Sequence, residues 1–593
     1  MTTESDLRYR RYCEGRLIGE RVNRYSWWVH WRELADYFLP RRYKWIITPN
    51  QLARGSPINQ HILDSTGVIC ARNLGSGLVS GKSSPTQPWF RLRIGRLDST
   101  ETTPVSLWLA EVERLLYLIF SESNFYNSIA VFYFDLVVFG TASILVYEDF
   151  ENVIYCINPC LGEYYVDLDG KYRPRVFMRE FTLTVDACVD QFGFDNVSDP
   201  IKQLYEDQAG ANRTRELIIA HIIEPNDDGK ASEFGYSTRF PVREAYWEWG
   251  GSTGPQGGVA DPKSFLRKSG FYEPPAITGR WDVVSNDAYG RSPGMDALPD
   301  QKQLQLETRR KLQAIDKMVN PPLVADVQLK NQPANLTPGG ITYIQGFQAA
   351  GKPGFASAYE TKFPVQEITA DLEMVKQRLS QTFFNDVLRV ASQYETRSNV
   401  TAVEWDLRKS ESLVMLGPAL ERIDNEVLKP IIERVFGIAN RAGILPPAPA
   451  ELQGKMMNIE FVSMLAQAQA ATKAASIERV LSMAGNLVGV VPEIMDNIDT
   501  DYSLEKMSSL LNNDPKMIRS KDALAQIRQQ RQQQNQQAQQ AAIAQQLSQG
   551  AKNLSQADVG GGQNALQALM GGQGGGGPGG PVGPGGPGGG PGQ

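Results

Sequence analysis

Tyr289-Gly290-Arg291-Ser292-Pro293 opens the stretch on which the fold turns, and that stretch runs to about Ala439. From Asp300 onward, Leu304, Leu312, Ile315, Met318 and Val319 mark one apolar side of a helix, with Lys302, Glu307, Arg309, Arg310 and Lys317 opposite. Asn320-Pro321-Pro322 stops it, because a residue before proline is pushed out of the helical region. Leu323–Val327 and Ile341–Gln345 can pair as strands across Pro338-Gly339-Gly340. Ile368, Leu372, Val375, Leu379, Phe383, Val387 and Val390 then give the cleanest helical period in the chain. The polar segment Ser392 to Val400 breaks that period. Thr401, with Glu404 three residues on, is a capping box for a long helix. Pro418 and Pro430 should kink this helix, since each removes a backbone donor, and Gly443 with Pro446-Pro447 ends it. Helix, small β insert, helix, loop, long helix is a plan for presenting surfaces to neighbours, and no catalytic pocket is visible in it.

Outward from this stretch, residues 5–38 read as an Arg-rich helix carrying Trp27, Trp28 and Trp31, ended by Pro40. A second helix is expected over Ile62–Ser80 and an alternating strand over Trp89–Ile94. Pro104–Phe120 and Phe125–Phe139 follow as helices, then a buried strand, Ala142–Tyr147. Tyr164 to Arg179 reads as a hairpin around Asp169-Gly170, the dipeptide that favours a type I′ turn. Thr182–Tyr205 should be partly helical, Glu216–Glu224 and Glu233–Trp249 strands, and Gly250–Pro262 an exposed loop. Residues 451–530 look like several more helices. From Gln532 the chain turns Gln/Ala-rich, with Gln532–Leu547 a possible helix end, and Gly560–Gln593 should be disordered.

The 593 residues are ample for a buried core, and 41% hydrophobic with 21% charged residues is ordinary for a globular chain. The net charge of −6 is unevenly spread. The first hundred residues carry sixteen Lys/Arg against eight Asp/Glu, an excess of +8, which leaves −14 for the rest. A basic end of this kind is either a nucleic-acid footprint or a face for solvent or an acidic protein partner. Five cysteines in so long a chain make no disulfide framework, and the N-terminus has no signal-peptide core. Ser128–Tyr147 is long and apolar enough to imitate a membrane span. Asp135 near its centre and the break at Gly140-Thr141 favour a buried helix followed by a buried strand.

Motif chemistry is thin. Gly75 to Ser83 must be tested as a phosphate-binding loop, yet Ser76 stands where the first glycine is needed, and the run ends a helix instead of opening one. A helix end with Gly81 as left-handed cap is the better account. Asp167 and Asp169 begin like a calcium loop, but Lys171 holds the third ligand position and no glutamate closes it. His30, His61 and His221 are far apart in sequence, so no metal site follows from spacing, and no nucleophile elbow or dinucleotide fingerprint occurs. No catalytic residue, cofactor or metal is therefore assigned.

In order along the chain, five places resemble the head-to-tail connecting, or portal, proteins of short-tailed (podovirus-type) bacteriophages. They are Ala71-Arg72-Asn73-Leu74 through Pro88-Trp89-Phe90-Arg91-Leu92; Asn124-Phe125-Tyr126 with Gly140-Thr141-Ala142; the Tyr164–Arg179 hairpin; Arg280-Trp281 with Tyr289-Gly290-Arg291-Ser292-Pro293; and Glu395-Thr396-Arg397 through Thr401-Ala402-Val403-Glu404. The resemblance covers about residues 70 to 530 and implies an α+β, mainly helical portal fold with wing, stem, clip and crown regions. It would place the wing at 1–290 with the kinked helix 401–440, stem helices at 291–319 and 366–391, and the clip at 320–365. A tunnel loop would span 392–400, a helical crown 441–531, and a largely disordered tail 532–593.

The same resemblance implies a homo-oligomeric ring, usually of twelve subunits, at one capsid vertex of the virion, assembled in the host cytoplasm. Double-stranded DNA would pass through the ring without sequence specificity during packaging and ejection. Partners would be a terminase motor, major capsid and scaffolding proteins, and tail adaptor proteins, with no cofactor and no membrane. Gln393, Tyr394, Glu395, Thr396, Arg397, Ser398 and Asn399 would face the DNA, and Glu307 and Asp316 are candidates for lining the channel. A nucleic-acid-processing enzyme, suggested by the basic first hundred residues, and a membrane-associated secretion ring, suggested by Ser128–Tyr147, are the competing functions.

Overall fold

The computed structural model describes residues 4–40, 42, 62–94, 103–207, 210–226, 239–249, 265–319, 323–325, 355–357, 365–385, 416–452, 457–462, 474, 476–486, 498–510 and 521–556. The chain divides into two units, Met1–Asn512 and Asn513–Gln593.

A long amphipathic helix begins the first unit. α1 (Glu4–Phe38) buries Tyr9, Cys13, Leu17, Trp31, Leu34 and Phe38 along one side. α2 (Thr66–Lys82) starts four residues later than the sequence suggests. It runs through Gly81, which does not adopt a positive φ; the cap is Ser83, whose N–H donates to Val79 O. Strand β1 (Phe90–Ile94) is followed by α3 (Thr103–Glu122) and α4 (Phe125–Phe139). α4 is mostly apolar because all but a narrow strip at Asn127 and Val131 is packed, and Gly140, at φ +78°, ends it by donating to Leu136 O. Asp135, the charge that argued against a membrane span, is buried and held by Arg42 at 2.7 and 3.0 Å. Burial pushes its carboxyl up and the guanidinium pulls it back. No helix among the described residues is long and apolar enough to cross a membrane.

Two antiparallel sheets come next. The first has the order β3 (Val153–Ile157), β2 (Thr141–Asp149), β9 (Ala276–Arg280). The second runs in chain order through β4 (Tyr164–Leu168), β5 (Pro174–Thr184), β6 (Glu216–Pro225), β7 (Val242–Glu248) and β8 (Arg267–Phe271), with α5 (Val185–Phe192) and α6 (Asp199–Glu206) between β5 and β6. The β4–β5 hairpin is present, but its turn is not the two-residue type, and Tyr164 faces Arg179 instead of the Arg175 that a two-residue Asp169-Gly170 turn would set opposite it. Gly170 has no positive φ; Tyr172 takes it, at +58°. The Asp169 carboxylate gathers the N–H groups of Lys171 and Arg173, which stabilises a longer loop that the Asp-Gly signal does not anticipate.

α7 (Pro293–Val319) and α8 (Val365–Thr382) are the two helices of the opening stretch. α8 does not run unbroken to 391: Phe384 adopts φ +54°, so the chain turns there although the apolar period continues. Between the two, β10 (Leu323–Ala325) pairs with β11 (Phe355–Ser357), and Ile341–Gln345, the partner expected from the sequence, lies outside the described residues. The Thr401 capping box and segment 392–400 also lie outside them. Helical residues 416–423 lead into a π-helical turn, Asp424–Leu428, and then α9 (Lys429–Arg441). Proline's missing donor is thus absorbed as a π turn ahead of Pro430, where Lys429 N–H reaches back to Asp424 O. Gly443, at φ +69°, closes α9 with a Schellman pair, Ile444 N to Ala439 O and Gly443 N to Asn440 O.

The expectation of helices alone after 451 is corrected by β12 (Met457–Phe461), which pairs antiparallel with β1 across more than three hundred and fifty residues. Tyr117 and Glu113 of α3 bond the other edge of β1, so it offers no free edge there. Residues 476–486 are helical, and α10 (Thr500–Leu510) follows. In the second unit, α11 (Lys521–Gln556) extends well into the segment expected to be largely disordered; Ala and Gln favour the helix without any need for a buried face. All five cysteines are free and buried.

Candidate functional site: the root of the stem helices

The opening pentapeptide is the centre of a buried junction. Gly140 and Gly290 meet backbone to backbone: a Cβ on Gly140 would lie 2.3 Å from Gly290 O, and one on Gly290 2.4 Å from Gly140 O. Around this contact, Trp281 N–H donates to Gly140 O at 2.9 Å and Gly290 N–H to Thr141 Oγ1 at 2.8 Å. Ser292 Oγ donates to Val138 O at 2.6 Å and accepts from Met295 N–H, fixing the first turn of α7 on the last turn of α4. Tyr289 packs edge-on to Trp31 with centroids 4.9 Å apart, and its hydroxyl accepts from Val166 N–H. Burial pushes the Tyr289 hydroxyl up, so it stays a neutral hydrogen-bonding group.

Arg280 ties the π turn to this junction. Its Nη2 donates to Glu426 Oε1 at 2.7 Å and to Tyr172 O at 2.9 Å, while its backbone N–H donates to Glu426 Oε2 at 3.1 Å. Gly279 makes the approach possible, since a Cβ there would meet Val427 Cγ2 at 2.3 Å. Lys82 pairs with Asp424 at 2.7 Å, and Ser83 Oγ bonds the buried Tyr133 hydroxyl. The two residues tested as a phosphate loop are therefore structural anchors. Four of the five places that carry the family resemblance meet at this junction or border it. The fifth, 395–404, lies outside the described residues.

Beyond the root, α7 and α8 are clamped to each other and to the start of α2. Arg378 reaches Asp300 and Gln303 at 3.1 Å each. The buried Gln305 amide accepts from Leu63 N–H and Asp64 N–H and donates to Asp64 O, and Lys376 pairs with Asp64 at 3.3 Å. These residues carry no sequence signal, because a buried Gln looks the same in sequence as a solvated one. An open cleft of about 530 Å³ between α2 and α8 is lined by Ile69, Asn73, Glu373, Met374, Lys376 and Asn385 among others, and its charged pair, Glu373 with Lys376 at 3.5 Å, lies within one turn of α8.

The candidate channel residues separate. Glu307 is half-buried and accepts from Gln303 Nε2 at 2.6 Å, whereas Asp316 is exposed. Nine positions apart is roughly two and a half helical turns, so on one helix they point to opposite sides. Gln393 to Asn399 lie outside the described residues. Of the apolar side read from sequence, only Leu304 is buried; Leu312, Ile315, Met318 and Val319 are exposed.

One cluster does combine a histidine with a carboxylate. His221 Nδ1 accepts from Arg179 Nε at 3.1 Å, so Nε2 carries the proton and donates to Glu244 at 2.9 Å, with the ring stacked on Tyr246. Burial and the neighbouring Arg179 hold the imidazole down at about 4, hence neutral. All of it is sealed inside the second sheet, with no surface for a substrate. Among the described residues no group of three His, Cys, Asp or Glu could hold a metal ion.

The junction is a set of backbone contacts that roots two long helices on α4. Residues 12–518 match the family described as bacteriophage head to tail connecting protein, and the chain belongs to that family. It is 38% identical over 510 residues to a probable portal protein of Bordetella phage BPP-1, covering 86% of this chain and 89% of that one. It is 36% identical over 542 residues to the portal protein of Salmonella phage epsilon15, covering 90% and 93%.

Proposed function

We infer that this chain is a phage portal protein, a structural component of the virion at the capsid vertex that connects head to tail. The observation that carries this is family membership across residues 12–518, with relatives named as a probable portal protein and a portal protein over 86% and 90% of the chain. The chain acts as a ring, twelve-fold in our reading, through which double-stranded DNA passes. The packaging force comes from a separate terminase motor, and capsid, scaffolding and tail adaptor proteins dock on its outer regions. Assembly takes place in the host cytoplasm.

In this reading α7 and α8 are the stem and 320–365 the clip. The wing comprises residues 1–290 with the helix through the π turn, and the crown 441–531. The exposed apolar residues of α7, Leu312, Ile315 and Met318, are suited to burial between neighbouring stems, since a ring needs each subunit to use two different faces. Asp316 is the better channel-lining candidate, because Glu307 is spent on Gln303. The tunnel loop 392–400 carries one acid, Glu395, and one base, Arg397. Near-neutrality suits a loop that DNA must slide past, because each phosphate it neutralised would add affinity.

Electron microscopy of the purified full chain tests this reading. A closed ring with a central channel is expected, and a chain that stays monomeric at every concentration and ionic strength refutes it.

A further inference from the structure

Besides the side it buries, α1 has a second apolar side that no described residue covers. Ile18, Val22, Tyr25 and Val29 follow one another at steps of four, three and four, which is one continuous seam on a helix. Val22 and Tyr25 each keep 71% of their surface in solvent, Ile18 53% and Val29 51%. Scattered exposed apolar residues are ordinary, but four in register on one helix form a contact surface. The seam is bounded by the exposed cations Arg11 and Arg32.

The seam contains a hole. Gly15, Ile18, Gly19 and Val22 occupy positions i, i+3, i+4 and i+7, the four corners into which a side chain from a facing element inserts. Two of these corners are glycine, a poor helix former. Nothing among the described residues explains either glycine, since a Cβ on either would meet none of them within 4 Å and neither has a positive φ. The contrast is α2, where a Cβ on Gly67 or Gly75 would strike Gln301 or Phe134 at 2.3 Å. The floor of the α1 hole is bare backbone, walled by Ile18 and Val22.

A matching knob stands on another face of the same subunit. The β2–β3 loop reads Glu148-Asp149-Phe150-Glu151-Asn152, and Phe150 at its tip is fully in solvent. The loop is not slack. Asn152 N–H donates to Asp149 Oδ2 at 3.1 Å, and Glu148 is bonded by Arg441 of α9 at 3.1 Å. Those bonds use two of the acids inward and leave Phe150 and Glu151 pointing away from the fold. An aromatic ring with an acidic neighbour, Glu151, complements an apolar hole with the exposed Arg11 one turn before it. The two surfaces belong to different parts of the subunit: α1 lies against α2, α4, α7 and β4, and the hairpin against α4, α9 and β9.

We propose that the β2–β3 tip of one copy of this chain docks on α1 of the next, with Phe150 seated in the hole formed by Gly15, Ile18, Gly19 and Val22. Two unlike surfaces used once each make a head-to-tail contact, which closes into a ring and not a two-fold dimer. This proposal rests on the ring reading and names one contact that would build it. It also gives a role to part of the basic N-terminal charge, which meets acid on the neighbouring copy.

The test places cysteines beside the contact and leaves knob and hole intact: Glu151→Cys with Asn23→Cys, both exposed positions, in a full chain whose native thiols are all buried. Treating assembled rings with a short bismaleimide should give a ladder of covalent oligomers, and either single variant should give none. Phe150→Ser and Gly19→Trp, with unchanged circular dichroism, should each raise the concentration needed for assembly at least tenfold. Rings that form but yield only monomer after cross-linking, or Phe150→Ser rings that assemble like the parent, overturn the proposal and leave the ring reading intact. If the unsubstituted chain forms no ring, the ring reading fails and this contact with it.

Discussion

Replacing Gly140 by alanine should loosen the root of the stem more than any other single methyl group added to a glycine discussed above. Three costs combine. An L-residue held in the left-handed region at φ +78° costs about 1–2 kcal/mol. The new Cβ would sit 2.3 Å from Gly290 O and 2.8 Å from Arg291 C, both backbone atoms that no side-chain rotation can clear, and such overpacking costs about 1–3 kcal/mol. Parting the strands also weakens the bond from Trp281 N–H to Gly140 O, at about 1 kcal/mol. Together these amount to about 3–6 kcal/mol, or roughly a hundred- to ten-thousandfold in a local opening equilibrium. Hydrogen exchange read on peptides covering 136–142 and 289–296 measures that opening directly, without assuming that so large a chain unfolds in one step. Gly81→Ala is the control: it is helical with empty space around it, so the same methyl should slow exchange at the end of α2 by up to about 1 kcal/mol. Wild-type exchange at the junction in Gly140→Ala would refute the claim that backbone contact there orients α7.

His221 makes stability depend on pH in a definite direction. Its folded value is about 4 against an ordinary 6.5, so between those limits only the unfolded chain takes up the proton. Stability should therefore climb by about 3 kcal/mol as pH rises from 4 to 6.5 and level off above; the urea midpoint of His221→Gln should lack that portion of the slope. Lys82→Met should leave Asp424 uncompensated in a half-dry site and destabilise by about 2–3 kcal/mol in thermal unfolding. Calorimetric titration with ATP should show no binding to either the variant or the parent; nucleotide binding lost on substitution would reinstate the phosphate-loop reading. Deleting Gln393–Ser398 should leave rings intact under the electron microscope and impair DNA packaging or retention, whereas loss of rings would make that segment structural.

Much of the architecture is legible in sequence because periodicity is a local property. The bounds of α4 at 125 and 139, the existence of the β4–β5 hairpin, the span of α7 and the Gly443 stop follow from side-chain spacing and from residues that only certain backbone angles admit. The motifs were also legible as a set in a fixed order, which is enough to name the family. What they are for was not. Tertiary structure alone shows that Gly140, Arg280, Gly290 and Ser292 are parts of one junction, since each of those bonds spans more than a hundred residues. It also decided the points where local signals mislead. The Asp169-Gly170 turn yields to a carboxylate that collects two N–H groups, and the kink due at Pro430 is taken up as a π turn that also carries Glu426, the partner of Arg280. Strand β12 waits for a partner more than three hundred and fifty residues away. Likewise, an apolar seam on a helix reads identically in sequence whether it is buried or bare. Only the packed fold shows that α1 has one seam of each kind, because burial depends on what the rest of the chain brings alongside.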